Sequence, residues 1–259
     1  MSNGKDDSFD SLHQIKGGIW MNLFTANDQV GDVVARFPKA DDIFKRYQID
    51  FCCGGNRPLH TAIQELALNE EQIIQELNDL YNASVTVEEH DINWNDESLN
   101  NLISHIVNFH HAYLNTTLPV LGELTTKILR VHGANHKELA EVHRLFHSLK
   151  MEFEQHLIKE ETLVFPRIEE FEIGKSRLAL EFAFEAVEEL EKEHDHCGEL
   201  LKKIHAVTEG YFVPADACET YDYTFSKLEE LESNTFTHVH LENNILFPRL
   251  RVARNESFA

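Results

Sequence analysis

A chain of 259 residues with 42% hydrophobic residues is long enough for one large domain or two smaller ones and can bury a sizeable core. Its formal net charge of −22 argues against nucleic acid, because nothing here could neutralise phosphates, and against an anionic membrane surface. No apolar run approaches the ~18–20 residues that span a bilayer, and the acidic start (Asp6, Asp7, Asp10) lacks a basic leader with an apolar stretch. The four cysteines, Cys52, Cys53, Cys197 and Cys218, do not read as an extracellular disulfide framework. The expectation is therefore a cytoplasmic protein with neither nucleic acid nor membrane as partner.

Residues 1–24 read as a polar, irregular N-terminal extension. The small helical unit expected over 25–82 starts with Val30, Val33, Val34 and Phe37 on a first short amphipathic helix ended by Pro38. Ile43, Phe44 and Tyr47 mark a second. Asp50-Phe51-Cys52-Cys53-Gly54-Gly55-Asn56 reads as a tight turn rich in residues that accept positive φ. Pro58 opens a third helix through Ile63 and Leu66, and Glu70 to Tyr81 gives a fourth. Residues 83–96, polar and without helical period, form the expected linker.

Four long segments follow, about 97–131, 136–171, 175–209 and 216–250, each with apolar residues at steps of three and four. Long helices joined by short connections predict an up-down four-helix bundle over 97–252, and the fold class is all-α.

The bundle contains an internal repeat. His156-Leu-Ile-Lys-Glu160-Glu-Thr-Leu-Val-Phe165-Pro166-Arg167 recurs as His238-Val-His-Leu-Glu242-Asn-Asn-Ile-Leu-Phe247-Pro248-Arg249, shifted by 82 residues. Each copy sets a His and a Glu four apart, on one helix face. The apolar stripe 145, 149, 153 continues into 156, 160 and 164, and the stripe 225, 228, 231 continues through 235 into 238, 242 and 245. Both pairs therefore face inward, where Glu is rarely found unless paired or bound to a cation. The same stripes place His194 and His111 inward on the other two helices, whereas His196 falls on the opposite face and His110 lies about 100° around. His111 and His194 stand 83 residues apart, close to the repeat shift. Four His and two Glu without thiolate suit iron or manganese better than structural zinc. Six protein ligands suit two metals with the Glu pair bridging. His105, His132, His136, His143, His147, His205 and His240 are expected at exposed or supporting positions, and Cys197 as a small core residue. The vicinal Cys52-Cys53 beside two glycines is read as a redox or metal-delivery pair whose setting lowers a thiol pKa.

Taken together, Asp50-Phe51-Cys52-Cys53-Gly54-Gly55, His111, His156-x3-Glu160-Glu161 with Phe165-Pro166, Glu193-His194-Asp195, and His238-x3-Glu242-Asn-Asn with Leu246-Phe247-Pro248-Arg249 resemble the iron–sulfur cluster repair di-iron proteins, the repair-of-iron-centres family. The resemblance covers roughly residues 25–252. It implies a hemerythrin-like bundle with two non-haem iron ions bridged by Glu160 and Glu242, completed by an oxo or hydroxo bridge, with His111, His156, His194 and His238 as terminal ligands. It also implies repair of iron–sulfur clusters damaged by nitric oxide or oxidative stress. The mode would be iron donation, nitric oxide reduction at the centre, or both. Partners would be damaged iron–sulfur proteins, nitric oxide or oxygen as small ligands, and an electron donor that the sequence does not identify. Pairing of two copies as a homodimer is left open by the sequence. The competing expectation is a hemerythrin-like carrier or sensor of oxygen or nitric oxide without turnover. Simple iron storage is disfavoured, because only one closed site is visible.

Overall fold

The computed structural model describes residues 13–15, 18–20, 23–85 and 92–256. Two three-residue strands, β1 (His13–Ile15) and β2 (Gly18–Trp20), pair antiparallel within the stretch expected to be irregular. Ile and Trp favour extended backbone. Residues 1–12, 16–17 and 21–22 of that extension and residues 86–91 of the expected linker lie outside the described residues.

The small unit comprises α1 (Val30–Arg36), α2 (Ala40–Arg46), α3 (Leu59–Glu65) and α4 (Glu70–Val85). The last helix runs past residue 82 and so takes up the start of the expected linker. Phe24, Val30, Val33, Phe44, Phe51, Leu59, Ile73 and Leu77 close an apolar cluster of the unit's own. Asn78 ties its start to its end, accepting from Phe24 N at 3.1 Å and donating to Phe24 O at 3.0 Å.

The bundle follows in four long helices. The first is α5 (Leu99–His105), a π segment (Ile106–His111) and α6 (Ala112–His132). The second is α7 (Glu138–Lys159), a π segment (Glu160–Val164) and α8 (Phe165–Gly174). The third is unbroken, α9 (Arg177–Val207), and the fourth is α10 (Glu219–His240), a π segment (Leu241–Leu246) and α11 (Phe247–Glu256). The first packs against the second and fourth, and the second against the third. Ser98 and Ser176 cap α5 and α9 by accepting backbone N–H bonds. Glu172, near the end of α8, accepts from Leu99 N and Asn100 N at 2.6 and 2.7 Å, closing the first and second helices together. Among the described residues no helix is long and apolar enough to cross a membrane.

The bundle core is divided. One apolar cluster gathers Leu114, Leu121, Phe146, Phe153, Leu201, Phe225 and Leu228. The other gathers Leu102, Ile106, Ile168, Leu180, Leu190, Leu246 and Phe247. Between them, in chain order along every helix, lies a polar layer: His111, His156, Glu160, His194, His238 and Glu242, each no more than 2% exposed. A buried layer holding two carboxylates costs stability unless charge is balanced within it.

Candidate metal centre

Each of the three π segments begins or ends on a residue of this layer or encloses one: His111 ends the first, Glu160 begins the second and Glu242 is second in the third. A π turn widens the helix by one residue and occurs mostly at functional positions. Pro166 and Pro248 stand just after two of these segments. A proline lacks the N–H of an α-helical bond, which suits a switch from wide to tight winding. The widened turns also bury neighbouring residues together, as with His110 and His111.

All six side chains meet. His111 Nε2 lies 3.2 Å from His238 Nε2 and 3.4 Å from Glu160 Oε2, and His238 Nε2 lies 3.1 Å from Glu242 Oε1. On the other side His156 Nε2 lies 3.0 Å from His194 Nε2 and 3.2 Å from Glu160 Oε1, and His194 Nε2 lies 3.0 Å from Glu242 Oε2. Two groups of four potential ligands result, and both contain Glu160 and Glu242. Each carboxylate thus presents one oxygen to each group. Both oxygens of Glu160 and Oε2 of Glu242 are buried without a hydrogen-bond donor among the described residues. Orphaned carboxylate oxygens converging with imidazole nitrogens fit a bound cation.

The outer nitrogens are held in turn. His111 Nδ1 lies 2.8 Å from Glu161 Oε1, His156 Nδ1 2.8 Å from Glu193 Oε2, and His194 Nδ1 2.8 Å from Asn243 Oδ1. Such partners fix the ring so that Nε2 points into the cavity. Among the described residues His238 Nδ1 has no hydrogen-bond partner, but its ring stacks on His110, with centroids 5.5 Å apart. His110 Nδ1 meets Asn234 Oδ1 at 3.2 Å, and burial, with the neighbouring His238, pushes its pKa down to about 3.

Without metal, protons supply the missing positive charge. Burial opposes a charged His156, but Glu160, Glu193 and Glu242 outweigh it and push its pKa up to about 10. His111 is raised in the same way, burial being outweighed by Glu160, Glu242 and Glu161. Burial also opposes ionisation of Glu160 and Glu242, yet the surrounding imidazoles hold both carboxyls below their ordinary value. His156 in turn, with Lys159, pulls Glu193 down to about 2.

His196 is exposed, with Nε2 3.9 Å from Glu152, as the stripe predicted. His196→Ala is expected to leave iron loading at the wild-type level. Loss of iron in that variant would show the face assignment of α9 to be wrong. His240 departs from the expectation of an exposed or supporting ring on the bundle. It is buried under the small unit, with Nδ1 3.4 Å from Phe51 O and its ring against Phe51, and burial pushes its pKa down to about 4.

The cysteine turn lies against the bundle. Cys52 and Cys53 Sγ are 3.7 Å apart, and the Cys53 Sγ lies 3.5 Å from where a Cβ on Gly198 would stand. Asp50 organises the turn. Its Oδ1 accepts from Cys53 N and Gly54 N at 3.0 Å and from Cys52 Sγ at 3.3 Å, and its Oδ2 pairs with Lys202 at 2.9 Å. The lowered thiol pKa expected here is not found at Cys52. The bond with Cys53, burial and the charge of Asp50 push this thiol well up. Neither Gly54 nor Gly55 takes a positive φ; space is what demands them. Cys197 is a buried core residue, its thiol pushed up by burial.

Burial alone would raise the Asp50 pKa, but its bond from Gly54 and the Lys202 ammonium hold it below the ordinary value. A depressed carboxyl contributes stability above its unfolded pKa of ~3.9 and loses it as pH falls through the folded value. Asp50→Ala is expected to cost about 1–3 kcal/mol near neutral pH. The gap from wild type, read by urea unfolding of the metal-free chain, should be flat above about pH 5 and close in stronger acid.

Residues 26–81 match the family model described as a domain of unknown function (DUF542), and residues 102–250 match the hemerythrin HHE cation binding domain. An iron–sulfur cluster repair protein ScdA from Staphylococcus haemolyticus is 30% identical over 225 residues, which is 87% of this chain and 98% of the relative. A probable iron–sulfur cluster repair protein from Haemophilus influenzae is 32% identical, covering 87% of this chain and 97% of its own. The iron–sulfur cluster repair protein YtfE from an Enterobacter species is 32% identical, with 85% and 94% covered. Relatives matched over nearly their whole length, and a cation-binding model matched across all four helices of the layered bundle, place this chain in the hemerythrin-type family of iron–sulfur cluster repair proteins.

Proposed function

We propose that this chain repairs iron–sulfur clusters damaged by nitric oxide or oxidants, using two iron ions held between Glu160 and Glu242. The observation that carries the reading is the pair of four-ligand groups sharing both carboxylates. His111 and His238 would hold one iron and His156 and His194 the other. Such a centre, when bound, supplies redox-active metal with room for small diatomic ligands, and iron that can be given up to a client.

The chain's own residues set the conditions. The apolar clusters on either side of the layer keep water out and strengthen every charge interaction within it. Glu161, Glu193 and Asn243 hold three imidazoles in the tautomer that leaves Nε2 free. The protons that His111 and His156 carry in the metal-free chain must leave as metal enters. Cys52 and Cys53 form a soft donor pair suited to iron in transit, or a dithiol able to yield two electrons and two protons. Their position on the bundle, against α9, supports either role.

Glu193→Gln is expected to weaken iron binding about 10–100-fold, read by competition with a chelator at constant fold. Unchanged affinity would mean that the bond to His156 Nδ1 does nothing for the centre. For function, a nitric-oxide-inactivated iron–sulfur hydro-lyase is incubated anaerobically with the iron-loaded chain, and its activity and any nitrous oxide are measured. Recovery is expected with wild type and is expected to fall in Cys52→Ser and Cys53→Ser. Stable, reversible nitric oxide binding with neither recovery nor nitrous oxide would contradict the repair reading and support a carrier.

A further inference from the structure

Three consecutive residues on the last π segment point in three directions, and only two of them face the metal layer. Glu242 enters the layer itself, and Asn243 Oδ1 meets His194 Nδ1. Asn244 faces the other way, into the cysteine turn. Its Nδ2 donates to Phe51 O at 3.1 Å and to Cys52 O at 2.9 Å, bonds that join positions more than 190 residues apart in the chain. Both N–H donors of one amide are thus spent on consecutive carbonyls of the turn.

The space around Asn244 is built for this contact. A Cβ on Gly31 or on Gly55 would overlap the Asn244 amide, so two glycines from separate parts of the small unit make room for it. Gly31 N donates to Gly55 O at 2.7 Å, which fixes the two glycines to each other beneath the side chain. Other contacts hold the turn to the bundle as well: half-exposed Lys202 pairs with Asp50, His240 Nδ1 lies 3.4 Å from Phe51 O, and the Phe51 ring packs edge-on against Phe236 and His240. Asn244 is the one that binds the backbone carbonyls of Phe51 and Cys52 with a side-chain amide.

We propose that Asn244 is a positioning residue that ties the Cys52–Cys53 turn to the metal-ligating segment, so that metal at Glu242 and docking of the turn reinforce each other. Glu242, Asn243 and Asn244 share one π segment, and a metal held by Glu242 would hold that winding in place. With Glu242 and the Asn243-held His194 fixed, Asn244 is presented to the turn. Released, the segment can rewind and the two carbonyls lose their donor. Linkage makes the effect mutual: what docks the turn also favours the metal-bound winding. The coupling rests on the two-iron reading, whereas the latch itself does not.

The test is the rate of iodoacetamide labelling of Cys52, followed by peptide mass spectrometry in the full chain, with exposed Cys218 as internal reference. Wild type, Asn244→Ala and Gly55→Ala are compared in iron-reconstituted and chelated forms, and iron per chain is measured on the same samples. Iron-loaded wild type should label slowly, and chelation should speed it about 10-fold. Both variants should label at the fast rate in either form, and Gly55→Ala, altered only in the small unit, should still take up iron but hold it about 10-fold more weakly, as the linkage requires. Variants that label as slowly as loaded wild type would overturn the latch. Wild type indifferent to chelation, with normal iron uptake, would overturn the coupling. A wild type that takes up no iron sinks the metal reading instead, and the variant labelling rates still decide the latch.

Discussion

Glu242→Ala is expected to abolish iron loading, and Glu160→Ala to do the same. Glu242 lies 3.1 Å from His238 through one oxygen and 3.0 Å from His194 through the other, so its loss strips a ligand from both groups at once. Three ligands would remain in each group, with one carboxylate charge in place of two. Removing a partner outside the ligand shell costs about 10–100-fold in affinity, and removing a shared ligand should cost more than 100-fold. Iron per chain after anaerobic reconstitution, with circular dichroism to verify the helices, is the measurement. A Glu242→Ala chain that still binds its full iron would mean the carboxylate does not bridge.

Removing iron from the wild-type chain is expected to lower its thermal midpoint by about 8–16 °C. A ligand at about 1,000 times its Kd stabilises by about 4 kcal/mol, and each kcal/mol moves a domain of this size by about 2–4 °C. The metal-free chain is not left with naked charge, because protons on His156 and His111 compensate the glutamates. Those protons balance the charge and reach the Glu160 oxygens only at 3.2 and 3.4 Å, where a metal would bond the carboxylates directly. Calorimetry before and after chelation reads the difference. Glu242→Ala should show no response to chelator, and an unresponsive wild type would mean that nothing of weight binds in the layer.

Much of this was legible in the sequence, and for a definite reason. Steps of three and four assign a face without exact helix geometry, so His111, His156, Glu160, His194, His238 and Glu242 could be placed inward from the stripe alone. The 82-residue repeat then set two of the pairs at one level. The π segments were not legible, because one extra residue per turn changes the stripe by less than its own irregularity. The Phe-Pro pairs at 165–166 and 247–248 were the available signal, since each follows a π segment. Asn243, Asn244 and Glu193 carry their roles through contacts with other helices or with the small unit, and periodicity within one helix says nothing of those. His240 was misplaced for the same reason: its face is outward on the bundle, and the small unit covers it. At the cysteine turn the glycine pair suggests positive φ, whereas here it makes room for the Asn244 and Arg57 side chains.

The central claim is a two-metal centre bridged by Glu160 and Glu242. It is tested most directly by metal analysis of the anaerobically reconstituted wild-type chain together with Mössbauer spectroscopy. Two iron ions per chain are expected, antiferromagnetically coupled through the shared ligands. One iron per chain, or a single tightly held zinc, would contradict it.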